Sequence, residues 1–302
     1  MFSSFHLTII PILIPIGLSL TPPVETIHLS ISKATSVNAM LLEIIILGII
    51  QGFIEWLPIS SQGNLVLFMV SFLGINEAEA LSISVYLHTG TLISALIYFR
   101  KTFWNLLKAM PKYRFRTLGK RENRLITFLI LSTLFTGIVG YPVFRLAKIA
   151  TGFGNLFFML IGAALIFTGI VQRKAGNLGT RSIDDITMTD GLLLGVIQGL
   201  SAFPGVSRSG ITISFLLFRR FDSESSLKIS FLMSVPAVLA AEIGLNAMKG
   251  LPALGSVEVI LGCLVSFIIV IIWIDLLLRI ARKVNKWILC LVLGLITVIS
   301  AI

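Results

Sequence analysis

Residues 80–99, 125–144 and 149–172 each run for about 20 positions or more without an acidic or basic side chain, the length a helix needs to cross the hydrocarbon core of a bilayer. Lipid offers no partner for backbone N–H and C=O groups, so such runs have to satisfy their amides internally as helices. Three later runs, 229–248, 258–278 and 287–302, have the same character and are interrupted by Glu242 and Asp275. The composition agrees, with 56% hydrophobic and 13% charged residues among 302. The expected fold class is an all-α polytopic membrane protein.

Charge orients the chain. The formal net charge is +10, with 24 Lys and Arg, and in so apolar a sequence these mark cytoplasmic loops rather than a nucleic-acid surface. Residues 100–124 carry Arg100, Lys101, Lys108, Lys112, Arg114, Arg116, Lys120, Arg121 and Arg124 against one acid, Glu122, which places this connecting loop inside. Arg279, Arg282, Lys283 and Lys286 do the same for the join between the last two runs. Two apolar regions remain, 41–76 and 191–218, each broken near its middle by a Pro/Gly/Ser knot.

Spans at 125–144 and 149–172 bring the chain back inside at Arg173 and Lys174. Residues 279–286 then stay inside only if 191–218 enters and leaves on one side. The expected architecture is two halves, 40–172 and 191–302, each a re-entrant helical hairpin (41–76 and 191–218) followed by three transmembrane helices. An odd number of spans per half makes this an inverted-topology repeat. Residues 1–39 form an N-terminal extension, apolar and interrupted by prolines, without the basic start of a secretory signal. Cys263 and Cys290 have no CxxC or Cys/His spacing, so neither a zinc site nor a disulfide framework is indicated.

The two broken regions resemble each other. "GIIQGFIEWLPISSQGN" at 48–64 and "GVIQGLSAFPGVSRSGIT" at 195–212 both read G-x-I-Q-G, then an aromatic, a proline and serines. Gly48, Gln51 and Gly52 align with Gly195, Gln198 and Gly199; Ser60-Ser61-Gln62-Gly63 faces Ser207-Arg208-Ser209-Gly210. Interrupted helices in such repeats aim their positive N-terminal ends and exposed amides at an anion. Arg208 adds a planar cationic fork suited to phosphate. Glu55 adds a carboxylate able to accept a proton or hold a divalent cation, and Ser61 is placed as a nucleophile or a cap.

The paired motifs "QGFIEWLPISSQG" and "PGVSRSGIT", with "LHTGTLISALIYF" at 87–99, resemble the undecaprenyl-diphosphate phosphatase (bacitracin-resistance) family from about residue 40 to the C-terminus. The resemblance implies a multi-pass plasma-membrane hydrolase that removes the terminal phosphate of a long-chain polyprenyl diphosphate, supporting carrier-lipid recycling for the cell envelope. By motif position, Glu55 is similar to the family's essential acid and Ser61 to its proposed nucleophile. Ser207, Arg208, Ser209 and Thr212 are similar to its phosphate-binding group; Arg208 is expected to be catalytic with Glu55 and Ser61, and Ser60 and Gly210 are further phosphate-binding candidates. Mg2+ or Ca2+ is implied as cofactor, with Glu55 as its ligand. Gln51 stands where many members have a glutamate and Asn64 where many have a histidine. Both departures remove an ionisable group, so the base is left open among Glu55, His88 and a metal-activated water. Gln51, Asn64, His88 and Gln198 complete the candidate site.

Simpler readings compete. Ser60 and Ser61 can serve as helix caps, Glu55 can be the structural ion-pair partner of Arg208, and Gln51, Gln198 and His88 can stitch helices through hydrogen bonds. Glu242 reads as interfacial. A polyprenyl-phosphate transporter or flippase is the alternative function, since broken helices in inverted repeats are transporter architecture. Phosphohistidine lipid phosphatases need SRx5H, and Ser214 stands at that point. The partners implied are a lipid substrate and the bilayer, with no nucleic acid, and a homodimer is compatible with the sequence.

Overall fold

The computed structural model describes residues 40–57, 59–114, 121–175, 179–249, 256–283 and 286–302. The N-terminal extension 1–39 and Pro58 lie outside the described residues. The described chain is helical, with five helices long and apolar enough to cross a membrane. They are α3 (Glu77–Tyr98), α5 (Arg121–Ala150), α6 (Asn155–Lys174), α9 (Ser223–Lys249) and α10 (Ser256–Lys283). Shorter apolar helices are α1 (Met40–Ile54), α2 (Ser61–Leu73), α7 (Met188–Leu200), α8 (Arg208–Phe218) and α11 (Lys286–Ser300). The protein is an all-α, multi-pass membrane protein.

Two features differ from expectation. The basic connection is not all loop: Arg100–Ala109 form helix α4, which buries Leu106 while its lysines and Arg100 face out. That division suits a helix lying at a membrane surface. The first break between spans also falls later than 144–149. Helix α5 continues through Pro142 to Ala150, carrying Arg145 and Lys148 on its last turns, and Gly154 at φ +54 makes the turn into α6.

Glycines set how the helices approach. A Cβ on Gly48 would lie 2.6 Å from the Gly262 carbonyl oxygen, and one on Gly52 2.7 Å from Ile269 Cβ, so α1 runs along α10 in a parallel register. The motif-equivalent glycines do the same elsewhere: Gly195 meets the Ser132 carbonyl at 2.6 Å and Gly199 meets Val139 at 2.6 Å, with α7 parallel to α5. Small residues four apart let helix backbones come this close where lipid provides no hydrophobic drive to associate. Helices α6 and α11 cross antiparallel with Gly162 and Gly294 facing each other. Each half thus lays its first short helix on the second long apolar helix of the other half, and the two final helices pair together.

The base of the α7–α8 pair is closed by a buried carboxylate. Asp190, fully buried, accepts from Arg181 Nη2 at 2.7 Å, from Arg219 Nε at 2.9 Å and from the Thr187 hydroxyl and amide at 2.7 and 3.0 Å. The Asp190 amide in turn donates to Thr187 Oγ1 at 3.2 Å, a capping box that starts α7. One acid therefore joins the first turn of α7 to the end of α8. Removing one partner of a buried ion pair strands the other charges. Asp190→Ala is expected to lower stability by about 3 kcal/mol, read as an earlier thermal unfolding midpoint in detergent.

Candidate active site

The site is made where α1 ends and α2 begins. The Glu55 amide still bonds to the Gln51 carbonyl, so Glu55 follows Gln51 by one helical turn and accepts from its Nε2 at 3.1 Å. The chain then reverses, and Ser60 takes a left-handed conformation with φ 61. Its hydroxyl caps α2 by accepting from Gly63 N at 3.4 Å. Ser61, the first residue of α2, turns back and donates to Glu55 Oε2 at 2.6 Å.

The second tip is built alike and joined to the first. Ser207 caps α8 by accepting from Gly210 N at 3.1 Å. The Gly205 amide donates to Ser60 Oγ at 3.1 Å, and a Cβ on Gly63 would lie 2.7 Å from Gly205 N, so the two turns touch backbone to backbone. Gly205 sits at φ +96 with the Ile161 carbonyl 2.4 Å from where a Cβ would stand, which leaves room for glycine alone. Thr168 on α6 binds this turn from behind, donating to the Gly205 carbonyl at 3.4 Å and accepting from the Ser207 amide at 3.2 Å.

Glu55 is the hub. Arg208 Nη2 donates to its Oε1 in a short ion pair, and His88 Nε2 from α3 stands 3.1 Å from its Oε2. That imidazole nitrogen is also 3.4 Å from Ser61 Oγ. The other, Nδ1, faces the Ser84 carbonyl at 2.6 Å, so it carries a proton and the ring turns Nε2 toward Glu55 and Ser61. Glu55 is 7% exposed, and Arg208 Nη1 is buried without a partner among the described residues. A buried guanidinium donor left open suits an anionic oxygen.

These groups line a cavity of about 680 Å3 together with Ser60, Ser207, Ser209 and Gln198. The capping serines occupy equivalent places in the two tips, and so do the residues that follow them, Ser61 and Arg208. The first tip thus supplies the hydroxyl and the carboxylate, the second the guanidinium.

Of the remaining sequence candidates, Gln51 and His88 join the Glu55 network. Gln198 faces the cavity and donates to Thr136 at 3.0 Å. Thr212 does not line the cavity. It is fully buried, and its hydroxyl bonds the Arg208 carbonyl and Ser230 Oγ, both at 2.7 Å, so its place is within the packing of α8 on α9. Gly210 is held in the cap of α8. Asn64 donates to the carbonyls of Ile59 at 2.8 Å and Ser60 at 2.9 Å, so its amide ties down the left-handed turn. Glu242, expected near an interface, is 7% exposed and accepts from Thr89 Oγ1 at 2.9 Å, beside His88 in the sequence.

Sequence reasoning missed Thr168 and Asp190. A threonine within the apolar run 149–172 gave little signal, whereas T-x-x-D at 187–190 is a readable capping box. Asn64→Ala removes two bonds from the turn and is expected to cost about 1 to 3 kcal/mol, checked by thermal unfolding. Asn64→Asp, which sets a carboxylate against two carbonyls, is expected to be worse.

Comparison with known proteins follows the same residues. The profile of the family described as "Bacitracin resistance protein BacA" matches residues 44–297. The chain is similar to the undecaprenyl-diphosphatase of Methanococcoides burtonii, 43% identical over 265 residues that cover 85% of this chain and 97% of that one. It is similar also to those of Haloarcula marismortui, 36% identical over 262 residues (85% and 96%), and Saccharolobus solfataricus, 33% identical over 267 residues (85% and 94%). With both broken-helix tips inside the matched span, the chain belongs to the bacitracin resistance protein BacA family.

Proposed function

We infer that the protein hydrolyses a long-chain polyprenyl diphosphate of the undecaprenyl type to the lipid monophosphate and inorganic phosphate. The observation that carries this is the contact of Ser61 Oγ with Glu55 and His88, beside an arginine with an open donor. Transport of a phospholipid needs cationic and amide contacts to its headgroup, but no hydroxyl aligned with an acid and an imidazole. The names of the relatives agree with hydrolysis.

The packing supports an inverted arrangement of the halves. Helices α1 and α7 lie parallel to α10 and α5, and α6 meets α11 antiparallel. With residues 100–124 inside, α7 starts inside and α1 outside, and the two hairpin tips meet from opposite sides.

In the mechanism, the terminal phosphoryl group lies against Arg208, whose free Nη1 takes one of its oxygens and neutralises charge as the transition state forms. Nδ1–H of His88 is held on the Ser84 carbonyl, so the neutral ring has its lone pair on Nε2, facing Ser61. His88 takes the Ser61 proton, Ser61 attacks phosphorus, and the bond from phosphorus to the bridging oxygen breaks with its electrons on the lipid monophosphate. Glu55 faces Nε2–H of the protonated ring and offsets its charge, the Ser84 carbonyl on Nδ1–H holds the ring in place, and the proton passes from Nε2 to the departing lipid monophosphate. Water then gives its proton to the freed Nε2 and attacks phosphorus, the bond from phosphorus to Ser61 Oγ breaks, and the proton returns from Nε2 to Ser61.

The implied Mg2+ or Ca2+ fits these residues poorly. Among the described residues Glu55 is the one carboxylate lining the cavity, and its oxygens already receive Arg208, Ser61 and Gln51. No three His, Cys, Asp or Glu side chains gather as a cation site among the described residues. No step is therefore assigned to a metal held by the protein.

Purified protein in detergent is expected to release phosphate from undecaprenyl diphosphate. Arg208→Ala and Glu55→Ala should each reduce the rate about 1,000-fold, and His88→Ala about 100-fold or more. Full activity in Ser61→Ala would exclude the serine nucleophile, and a folded wild-type protein that releases no phosphate overturns the assignment.

A further inference from the structure

The cavity extends beyond the groups used above. One face of α5 lines it from Thr133 to Ile149, about 24 Å at helical rise. At one end of this face stand Thr133 and Thr136, then Gly137 and Gly140. Gly140 faces Gly199 and Ala202, which fixes the level of the second hairpin tip. Past that level the face continues through Tyr141 and Phe144 to Arg145 and Lys148. Lys148 lies eight residues beyond Gly140, about 12 Å further along the axis.

Arg145 and Lys148 are exposed and have no ion-pair partner among the described residues. Residues 125–174 contain no Asp or Glu, and among the described residues Glu55 is the one acid lining the cavity, held by Arg208 at its inner part. Orientation signals do not account for the pair either. With residues 100–124 inside, α5 ends outside, where the positive-inside rule disfavours basic residues. Two cations one helical turn apart, sharing a cavity with the site and lacking acids around them, attract anions into its mouth.

We propose that Arg145 and Lys148 form a phosphate-binding station at the mouth of the cavity, about two helical turns from the reaction centre. Its ligand is a phosphate group, either the headgroup of the incoming lipid or the inorganic phosphate leaving after hydrolysis. A fork and a flexible ammonium three residues apart hold such a group loosely enough to pass it on. The proposal rests on the diphosphatase reading, which makes a phosphate traverse this cavity twice in each turnover.

The test uses the full chain in detergent, with Arg145→Gln, Lys148→Gln and the double variant. KM for undecaprenyl diphosphate, the inhibition constant of inorganic phosphate and direct binding of radiolabelled phosphate are measured at low and high salt. The double variant should weaken one or both constants about five-fold, more than it changes kcat, and high salt should erase the difference from wild type. A rise in KM alone identifies the incoming headgroup, and a rise in the phosphate constant alone identifies the leaving product. Arg145→Lys should retain most of the effect, since charge is what the station supplies. Unchanged KM, inhibition and phosphate binding in the double variant overturn the station. Wild-type protein that binds phosphate at this pair yet hydrolyses no diphosphate keeps the station and overturns the diphosphatase reading.

Discussion

The pair between Glu55 and Arg208 is the constraint on which the rest of the structure depends. Neither charge is tolerable in an apolar surround alone, and an isolated buried ion carries a penalty of several kcal/mol. Their union fixes the end of α1 relative to the start of α8, and hence the two hairpin tips relative to each other. The Gly205 to Ser60 bond and the close approach of Gly63 follow from that docking. So does the open Nη1, because a guanidinium that gives one nitrogen to a carboxylate still has donors for another anion.

Two tips with matching caps arrive at unlike chemistry through the residues around those caps. The serine caps match, as do the glycines three residues later, because both turns must start a helix and come close to a neighbour. The residue just after the cap is free to differ, and it is Ser61 in one tip and Arg208 in the other. Opposite Glu55 in the alignment stands Ala202, so the carboxylate too has no counterpart in the second half. A symmetrical frame thereby surrounds a directional site, with an attacking side and a binding side.

Much of this was legible in the sequence. Uncharged runs named the spans, because span length is set by lipid thickness and not by tertiary detail. Arg208 and Glu55 stood out because charge in an apolar run demands a partner. Helix ends were less legible: α5 runs past Pro142 and carries Arg145 and Lys148, which the search for uncharged runs read as a boundary. Thr212 looked like a ligand from its motif, but its side chain lies on the face of α8 that packs on Ser230. Asn64 looked like a loss. A change from imidazole to amide reads as missing chemistry until the carbonyls of Ile59 and Ser60 are seen beneath it. Which face a residue takes on a short helix, and what lies beneath it, depends on partners far away in the chain.

The distance between the two charges along the chain also has a consequence in time. Glu55 and Arg208 are 153 residues apart, so at ordinary rates of synthesis the acid is made roughly 10 to 30 s before its arginine. Throughout that interval the first tip lacks the cation that makes its place among apolar helices tenable. Completion of the site waits for Arg208, and completion of the fold for the helices that follow it. A chain stopped short of Arg208 has neither, and a half-made protein cannot act on the membrane into which it is being inserted.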